Sequence, residues 1–337
     1  MGDRRRGSRD EVEPSRLPRP GRNPLSGAGG IGAEQVAEIQ RARILAAMAE
    51  VASERGARNV TVAGVVARSG VSRKTFYELF SDREDCFLAT FDDGVARIAD
   101  EVVPAYEQPG RWREKMRAAL TALLELLDHE PGMGRLVIVE TLGAGPNALE
   151  RRSRVLAQVI TAVDEGRLEA KGSDGPPPLT AEGVVGGVLG VLHARLLQDK
   201  PGRLVALTGP LMGMIVLPYL GPAAARKELD RPVPKASVRP RPVNIDPLRE
   251  LEMRLTYRTV RVLMAVGADP GSSNRAVGDE AGISDQGQAS KLLHRLERLG
   301  LIGNDGAGGP PGGPSAWSLT EKGSEVVGAI APQPPRT

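Results

Sequence analysis

From residue 34 to residue 220, apolar side chains recur every three or four positions, and the alternation that marks a half-buried strand is almost absent. The pattern predicts helices. Ile44, Leu45, Met48, Val51 and Ala52 share one face of the first, and Gly56 supplies its stop. Further breaks at Gly70, Pro109-Gly110, Pro131-Gly132, 143–146, 172–178 and Pro201-Gly202 divide the region into about eight or nine helices. Their short connections predict a bundle. The stretch 204–221 approaches the ~18 apolar residues needed to cross a membrane, but Pro210 and Pro218 interrupt it and it has no polybasic flank. A buried helix is expected there, with no membrane partner.

Residues 226–247 are expected to form an extended linker, because 230–247 break the pattern, being dense in proline and basic residues without apolar period. About eighteen such residues at about 3.1 Å each reach about 50 Å, enough for a following domain to move independently. That second domain is expected over 248–330. Leu251, Leu255, Val262, Leu263 and Val266 mark its first helix, followed by a helix at 274–281, a turn at Gly282 and a longer helix capped by Ser284. On the longer helix Ala289, Leu292, Leu293, Leu296 and Leu299 point inward, which leaves Gln286, Gln288, Lys291, Arg295 and Arg298 outside. Residues 306–314 form the tip of a hairpin whose return strand carries Trp317 and Leu319, and Thr320 caps a last helix.

The densest local signal runs from Thr61 to Phe91. Thr61 can cap one short helix, Gly70 can take the left-handed turn, and Ser72 can cap a second short helix from Arg73. Two short helices about a glycine turn form a helix-turn-helix, whose second helix enters the major groove of DNA. Its outward residues are Arg73, Lys74, Thr75 and Tyr77, while Phe76, Leu79 and Phe80 hold it to the bundle. Arginine pairs with guanine edges and hydroxyls donate to phosphates, so these residue types suit that groove. A solvated charged face is the competing account of Arg73 and Lys74. Ser81 and Glu84 fit a capping box that starts the next helix at once.

Composition adjusts this picture. Among 337 residues, 45 Lys+Arg stand against 42 Asp+Glu, a net charge of +3 that by itself does not diagnose a nucleic-acid binder. Resolved along the chain, basic residues gather in 1–33, at the first helix-turn-helix and on the outer face of the helix before Gly300. Residues 1–33, rich in Arg, Pro and Gly and lacking an apolar run, predict a disordered basic arm rather than a secretory signal. One cysteine excludes an intrachain disulfide, and three scattered histidines lack metal-ligand spacing. No metal, no cofactor and no enzyme activity is expected, and a reducing, cytoplasmic, nucleoid-associated setting fits. All four phenylalanines, Phe76, Phe80, Phe87 and Phe91, fall where a short helix must be pinned.

The stretch TVAGVVARSGVSRKTFYELFSDREDCFLATF, 61–91, resembles the DNA-binding signature of the TetR/AcrR family of bacterial transcriptional regulators. Gly70, Val71-Ser72, Thr75-Phe76-Tyr77, Phe80 and the charged helix start carry the resemblance. It implies a mainly α fold, a TetR-like helical bundle with the helix-turn-helix over 34–91 and a ligand-binding and dimerisation body over 92–225. It implies phosphate contacts from Thr61, Ser72, Tyr77 and Arg83, and base contacts from Arg73, Lys74 and Thr75. Family members often carry Lys where Arg83 stands, and either reaches a phosphate. The resemblance further implies a ligand-responsive repressor that binds a palindromic double-stranded operator as a homodimer joined through the last two helices of the body. The helices at 180–197 and 204–220 suit that role, since Gly183, Gly186, Gly187 and Gly190 leave a stripe without Cβ atoms that a partner helix can approach. An apolar small-molecule effector would sit between the middle helices, with Tyr106, Trp112, Met116, Leu120 and Leu136 as candidate lining. Plain core is the competing account of these five.

The C-terminal pattern resembles a winged helix-turn-helix (α+β) domain of the MarR-like kind, on LLHRLERLGL at 292–301 and WSLTEKG at 317–323. That resemblance makes Gln286, Gln288, Lys291, Arg295 and Arg298 a second DNA-facing set. Its wing, GAGGPPGGPSA, holds no basic residue to neutralise phosphate. The alternative is therefore a small-molecule sensor whose C-terminal domain serves protein contact or dimerisation.

Overall fold

The computed structural model describes residues 33–170, 175–198, 202–233, 257–305 and 315–330. The expected arm at 1–33, apart from Ala33, most of the linker and the wing tip at 306–314 lie outside these residues. Helix α1, Ala33–Arg55, ends at Gly56, where φ is 81°. A 3₁₀ turn, Ala57–Asn59, leads to α2, Val62–Ser69, and then α3, Arg73–Leu79. The body continues with α4, Arg83–Tyr106, α5, Trp112–His129, α6, Pro131–Ile138, α7, Pro146–Asp164, α8, Thr180–Leu196, α9, Thr208–Leu220, and α10, Pro222–Leu229.

Two apolar clusters organise this part. In the first, Ile44, Met48 and Val51 of α1 meet Phe76, Phe80, Phe87 and Phe91, with Leu136 of α6 and Ala148 of α7 added from the body. All four phenylalanines are thus core, as their spacing suggests. The second gathers Trp112, Met116, Leu120, Leu124, Leu211 and Val216 from α5 and α9 with neighbours on α8. Trp112 fixes the packing there. Its Nε1–H donates to the carbonyl of Ala162 at 3.0 Å, and a Cβ added to Gly166 would come within 2.7 Å of its ring.

The apolar run at 204–221 is not one helix. A 3₁₀ turn, Leu204–Leu207, comes first, because the carboxylate of Asp128 accepts the amides of Leu204 at 2.6 Å and Val205 at 3.0 Å. No helix among the described residues is long and apolar enough to cross a membrane. Residues 226–229, expected to begin the linker, instead finish α10. Glu228 is fully buried there and pairs with Arg117 at 2.7 Å and with Arg113 and Arg231 at 3.5 Å, so a long-range ion cluster holds the helix against α5.

The C-terminal part contains α11, Tyr257–Ala268, α12, Asn274–Glu280, α13, Gln286–Arg298, strands β1, Ile302–Asn304, and β2, Trp317–Leu319, and α14, Glu321–Ile330. The strands pair antiparallel, with Ile302 opposite Leu319 and Asn304 opposite Trp317. A further bridge joins Trp317 to Ser272, between α11 and α12. Trp317 is fully buried in a cluster with Val260, Leu263, Leu293 and Leu296. Thr320 caps α14 by accepting the amide of Gly323 at 3.0 Å.

Two caps sit one residue beyond their expected places. Helix α4 is capped by Asp82, whose carboxylate accepts the Asp85 amide at 2.8 Å, while Asp85 accepts the Ser81 amide at 2.9 Å. Helix α13 is capped by Asp285, not Ser284, through the amides of Gly287 at 2.8 Å and Gln288 at 3.1 Å. In both places an aspartate beside a serine takes the cap. A carboxylate makes the stronger, charge-assisted bond to backbone N–H.

Candidate nucleic-acid interface

Helix α2 starts where the Thr61 hydroxyl accepts the Gly64 amide at 3.1 Å, and ends at Gly70, in the left-handed region at φ 66°. Any larger residue at Gly70 would strain the turn that aims the next helix. Helix α3 then starts on Ser72, whose hydroxyl accepts the Thr75 amide at 3.0 Å and shares a 2.9 Å bond with the Thr75 hydroxyl. Phe76 buries the inner face of α3 completely, and Phe80 closes its C-terminus with the N–H donated to the Phe76 carbonyl.

The outer face is thereby fixed. Tyr77 is 48% exposed, the Arg73 guanidinium lies 5.8 Å from the centre of its ring, and Lys74 is 87% exposed with a 3.5 Å pairing to Glu78. Thr61 is exposed, while Ser72 and Thr75 are half-buried. A hydroxyl that accepts a cap bond keeps its own proton to donate, so capping by Thr61 leaves it able to contact phosphate.

Arg83 differs from the other expected phosphate contacts. One arm of its guanidinium donates to the carbonyls of Ala57 and Arg58 at 3.3 Å and of Val60 at 3.4 Å, which ties α4 to the turn before α2. Arg68 was not singled out by the sequence, yet it forks onto Glu50 at 2.8 Å and Glu54 at 2.7 Å of α1. These hydrogen bonds raise its pKa above the usual guanidinium range and lower that of Glu54. The sequence signal was spacing, because Glu50 and Glu54 stand four apart on one face of α1.

The second set lies on α13. Gln286, Gln288, Lys291, Arg295 and Arg298 are all exposed. Gln288 is already engaged, accepting from Arg258 at 3.0 Å and donating to Asp285 at 3.1 Å. Asp285 has its carboxyl held below the usual range, chiefly by the backbone N–H of Gln288.

The five candidate effector residues are packed side chains in two places. Trp112, Met116 and Leu120 are buried in the body core with Tyr106 against them, whereas Leu136 is fully buried in the cluster around the phenylalanines. The Tyr106 hydroxyl donates to Glu165 at 2.6 Å, and burial with that neighbour pushes its pKa above the ordinary phenol range. A cavity of about 320 Å³ opens elsewhere, between α6, α7 and α8. Ile138, Leu142, Leu156, Ile160, Val185 and Leu189 give it an apolar lining, with Arg152, Glu182 and His193 at its polar positions. Gly186 and Gly190 also line it. The glycine stripe was therefore a readable signal for the cavity, since residues without Cβ leave space on the helix that bears them.

Body and head meet through polar bonds at the turn after α6, and at α7, where Asn147 donates to Glu84 at 2.8 Å. A second 3₁₀ turn, Glu140–Gly143, follows α6. The buried Glu140 carboxylate accepts the Ala57 amide at 2.9 Å, and the Gly143 carbonyl accepts from Arg58 at 3.2 Å.

The family model described as bacterial regulatory proteins, tetR family, matches residues 44–90. The HTH-type transcriptional activator FasR of Mycolicibacterium smegmatis is 26% identical over 125 residues, which are 37% of this chain and 54% of that protein. The chain thus spans about half the length of this relative. Among solved structures, the fatty acid degradation regulator FadR from Bacillus halodurans is 18% identical with a TM-score of 0.47, covering 52% of this chain and 97% of its own. RolR in complex with resorcinol is 20% identical with a TM-score of 0.41, covering 60% and 100%.

Proposed function

We infer, taking residues 44–90 as a tetR-family DNA-binding domain, that the chain is a ligand-responsive transcriptional regulator, a repressor, which binds a palindromic operator as a homodimer. The observation that carries this reading is α3 itself. It is set by the Gly70 turn, pinned by Phe76, and presents Arg73, Lys74 and Tyr77 outward from one short helix. The N-terminal turn of α3 would face base edges, with Thr61, Ser72, Tyr77 and Arg83 at phosphates. Two such heads would read half-sites about 34–36 Å apart.

Dimerisation through α8 and α9 is supported by their uncovered faces. A Cβ at Gly183 would meet nothing within 4 Å, and Leu197, Met214 and Leu217 are exposed, whereas Gly186 and Gly190 line the cavity and Gly187 lies against Met214. An apolar effector would enter the cavity beside α8. Ile138 and Leu142 line that cavity, while Glu140 and Gly143 of the same segment hold the head, so filling it would shift the heads relative to each other. This reading requires no cofactor or catalytic group, and it places the protein in the cytoplasm on the nucleoid.

For the C-terminal domain, the helix order and paired strands support a winged helix-turn-helix, and the exposed Lys291, Arg295 and Arg298 support DNA contact by α13. The engagement of Gln288 within its own domain favours the alternative, in which this domain makes protein contacts. Selecting bound sequences from random duplexes with the full chain tests the main reading. An enriched inverted repeat is the expected result, and no enrichment at low salt would overturn it. Charge reversal at Arg295 and Arg298 separates the two accounts of the C-terminal domain, since an unchanged salt slope supports protein contact.

A further inference from the structure

We propose that the first turns of α1 are a docking site for the C-terminal domain of the same chain, and that this contact sets how tightly the head holds DNA. The second half rests on the DNA-binding reading above. The head core takes α1 only from Ile44 onward. Ile39 instead packs against the C-terminal cluster that contains Val260, Leu263 and Trp317. At about 100° per residue, five positions place Ile39 roughly 140° around the helix from Ile44, so α1 serves two cores with two faces. Gln40, beside Ile39, and Thr259, beside Val260 on α11, are buried as well.

The contact is small, and between separate molecules it would not hold. Within one chain the partners meet at an effective concentration on the order of mM, so a weak contact suffices. The departure of the chain from the body is also fixed, because Arg117 pairs with Glu228 at 2.7 Å and donates to the Pro232 carbonyl at 3.4 Å. The connection thus starts from a fixed point beside α5, and the C-terminal domain itself is held where α11 meets α1.

A short route leads from this contact to the recognition helix. Arg41, two residues beyond Ile39, stacks over Phe80 with its guanidinium 5.6 Å from the ring centre. Phe80 is the residue that closes α3. Helix starts fray unless something holds them, and near the start of this one the C-terminal cluster holds Ile39. Docking thus orders the turn that carries Arg41, which in turn backs the end of α3.

Spin labels at Glu38→Cys and Arg258→Cys, in full chain diluted with unlabelled protein, report the intrachain distance without DNA. The lone native cysteine, Cys86, is fully buried and stays unlabelled. One short, narrow distance is expected, and a broad spread would overturn the docking. Ile39→Asp should broaden it and weaken operator binding about tenfold, as the ordered fraction of heads falls by that factor. Ile39→Ala, which keeps the helix, should move both readouts less and in the same direction. Broadened distances with unchanged operator affinity would overturn the coupling. A narrow distance in a parent chain that binds no DNA would keep the docking, but would remove the operator reading and the regulatory half with it.

Discussion

The carboxylate of Glu140 accepts the backbone N–H of Ala57 at 2.9 Å, so a side chain of the body holds the start of the turn that follows the first helix of the head. Both residues are buried. Glu140→Ala leaves that amide without its acceptor, at a cost of about 1–3 kcal/mol. Urea unfolding should show this loss, and effector-induced release of DNA should fall with it. A variant as stable as the parent would mean that water replaces the carboxylate.

Lys74→Ala removes an exposed charge and no packing. The fold should melt at an unchanged temperature while operator binding weakens and the slope of log affinity against log salt drops by about 0.9. Tyr77→Ala should weaken binding too, with a smaller change in slope. Parent-like affinity in both would place the recognition surface elsewhere.

Glu228→Ala strands Arg113 and Arg117, which are themselves mostly buried. Breaking a buried pair from one side costs about 3–5 kcal/mol. Denaturant titration should show a loss on that scale, larger than for Arg231→Ala, whose side chain is 40% exposed.

Gly183→Leu adds volume to an open face of α8. The isolated chain should gain helix propensity of a few tenths of a kcal/mol, up to about 1. In sedimentation, however, the variant should shift toward monomer, because the added side chain keeps a second α8 at a distance. Unchanged association would mean that the glycine stripe serves only the cavity.

Cys86 is buried, and that burial pushes its thiol up to about 12. At pH 8 its thiolate fraction is on the order of one in ten thousand. Native protein should resist a thiol-reactive dye that labels it promptly in urea. Fast labelling of the folded protein would show that α4 opens locally.

Local rules made the head legible. Thr61, Gly70 and Ser72 each act within three residues of themselves, and the phenylalanines announce a core by concentration alone. Where aspartate stood beside serine, the same rules chose the wrong cap, because preference among capping residues is slight and the stronger acceptor prevailed at Asp82 and Asp285. Long-range partners were illegible. Nothing local to Glu228 announces Arg117, 111 positions earlier, so a proline-rich, basic neighbourhood concealed a helix. The Ser272 bridge to Trp317 is hidden for the same reason. Leu136 shows another limit, since periodicity says that a residue is buried but not in which core.

Arg68 sits on α2, in the middle of the head, where a basic residue invites reading as a DNA contact. Its fork onto Glu50 and Glu54 makes it a rivet between α1 and α2 instead. A scan that neutralised the basic residues of the head one by one would therefore find two kinds of sensitive position. At Lys74 the loss would be largest at low salt and shrink as salt rises, whereas at Arg68 it would be even at every ionic strength, as a tool loosened in its handle loses aim without losing its edge.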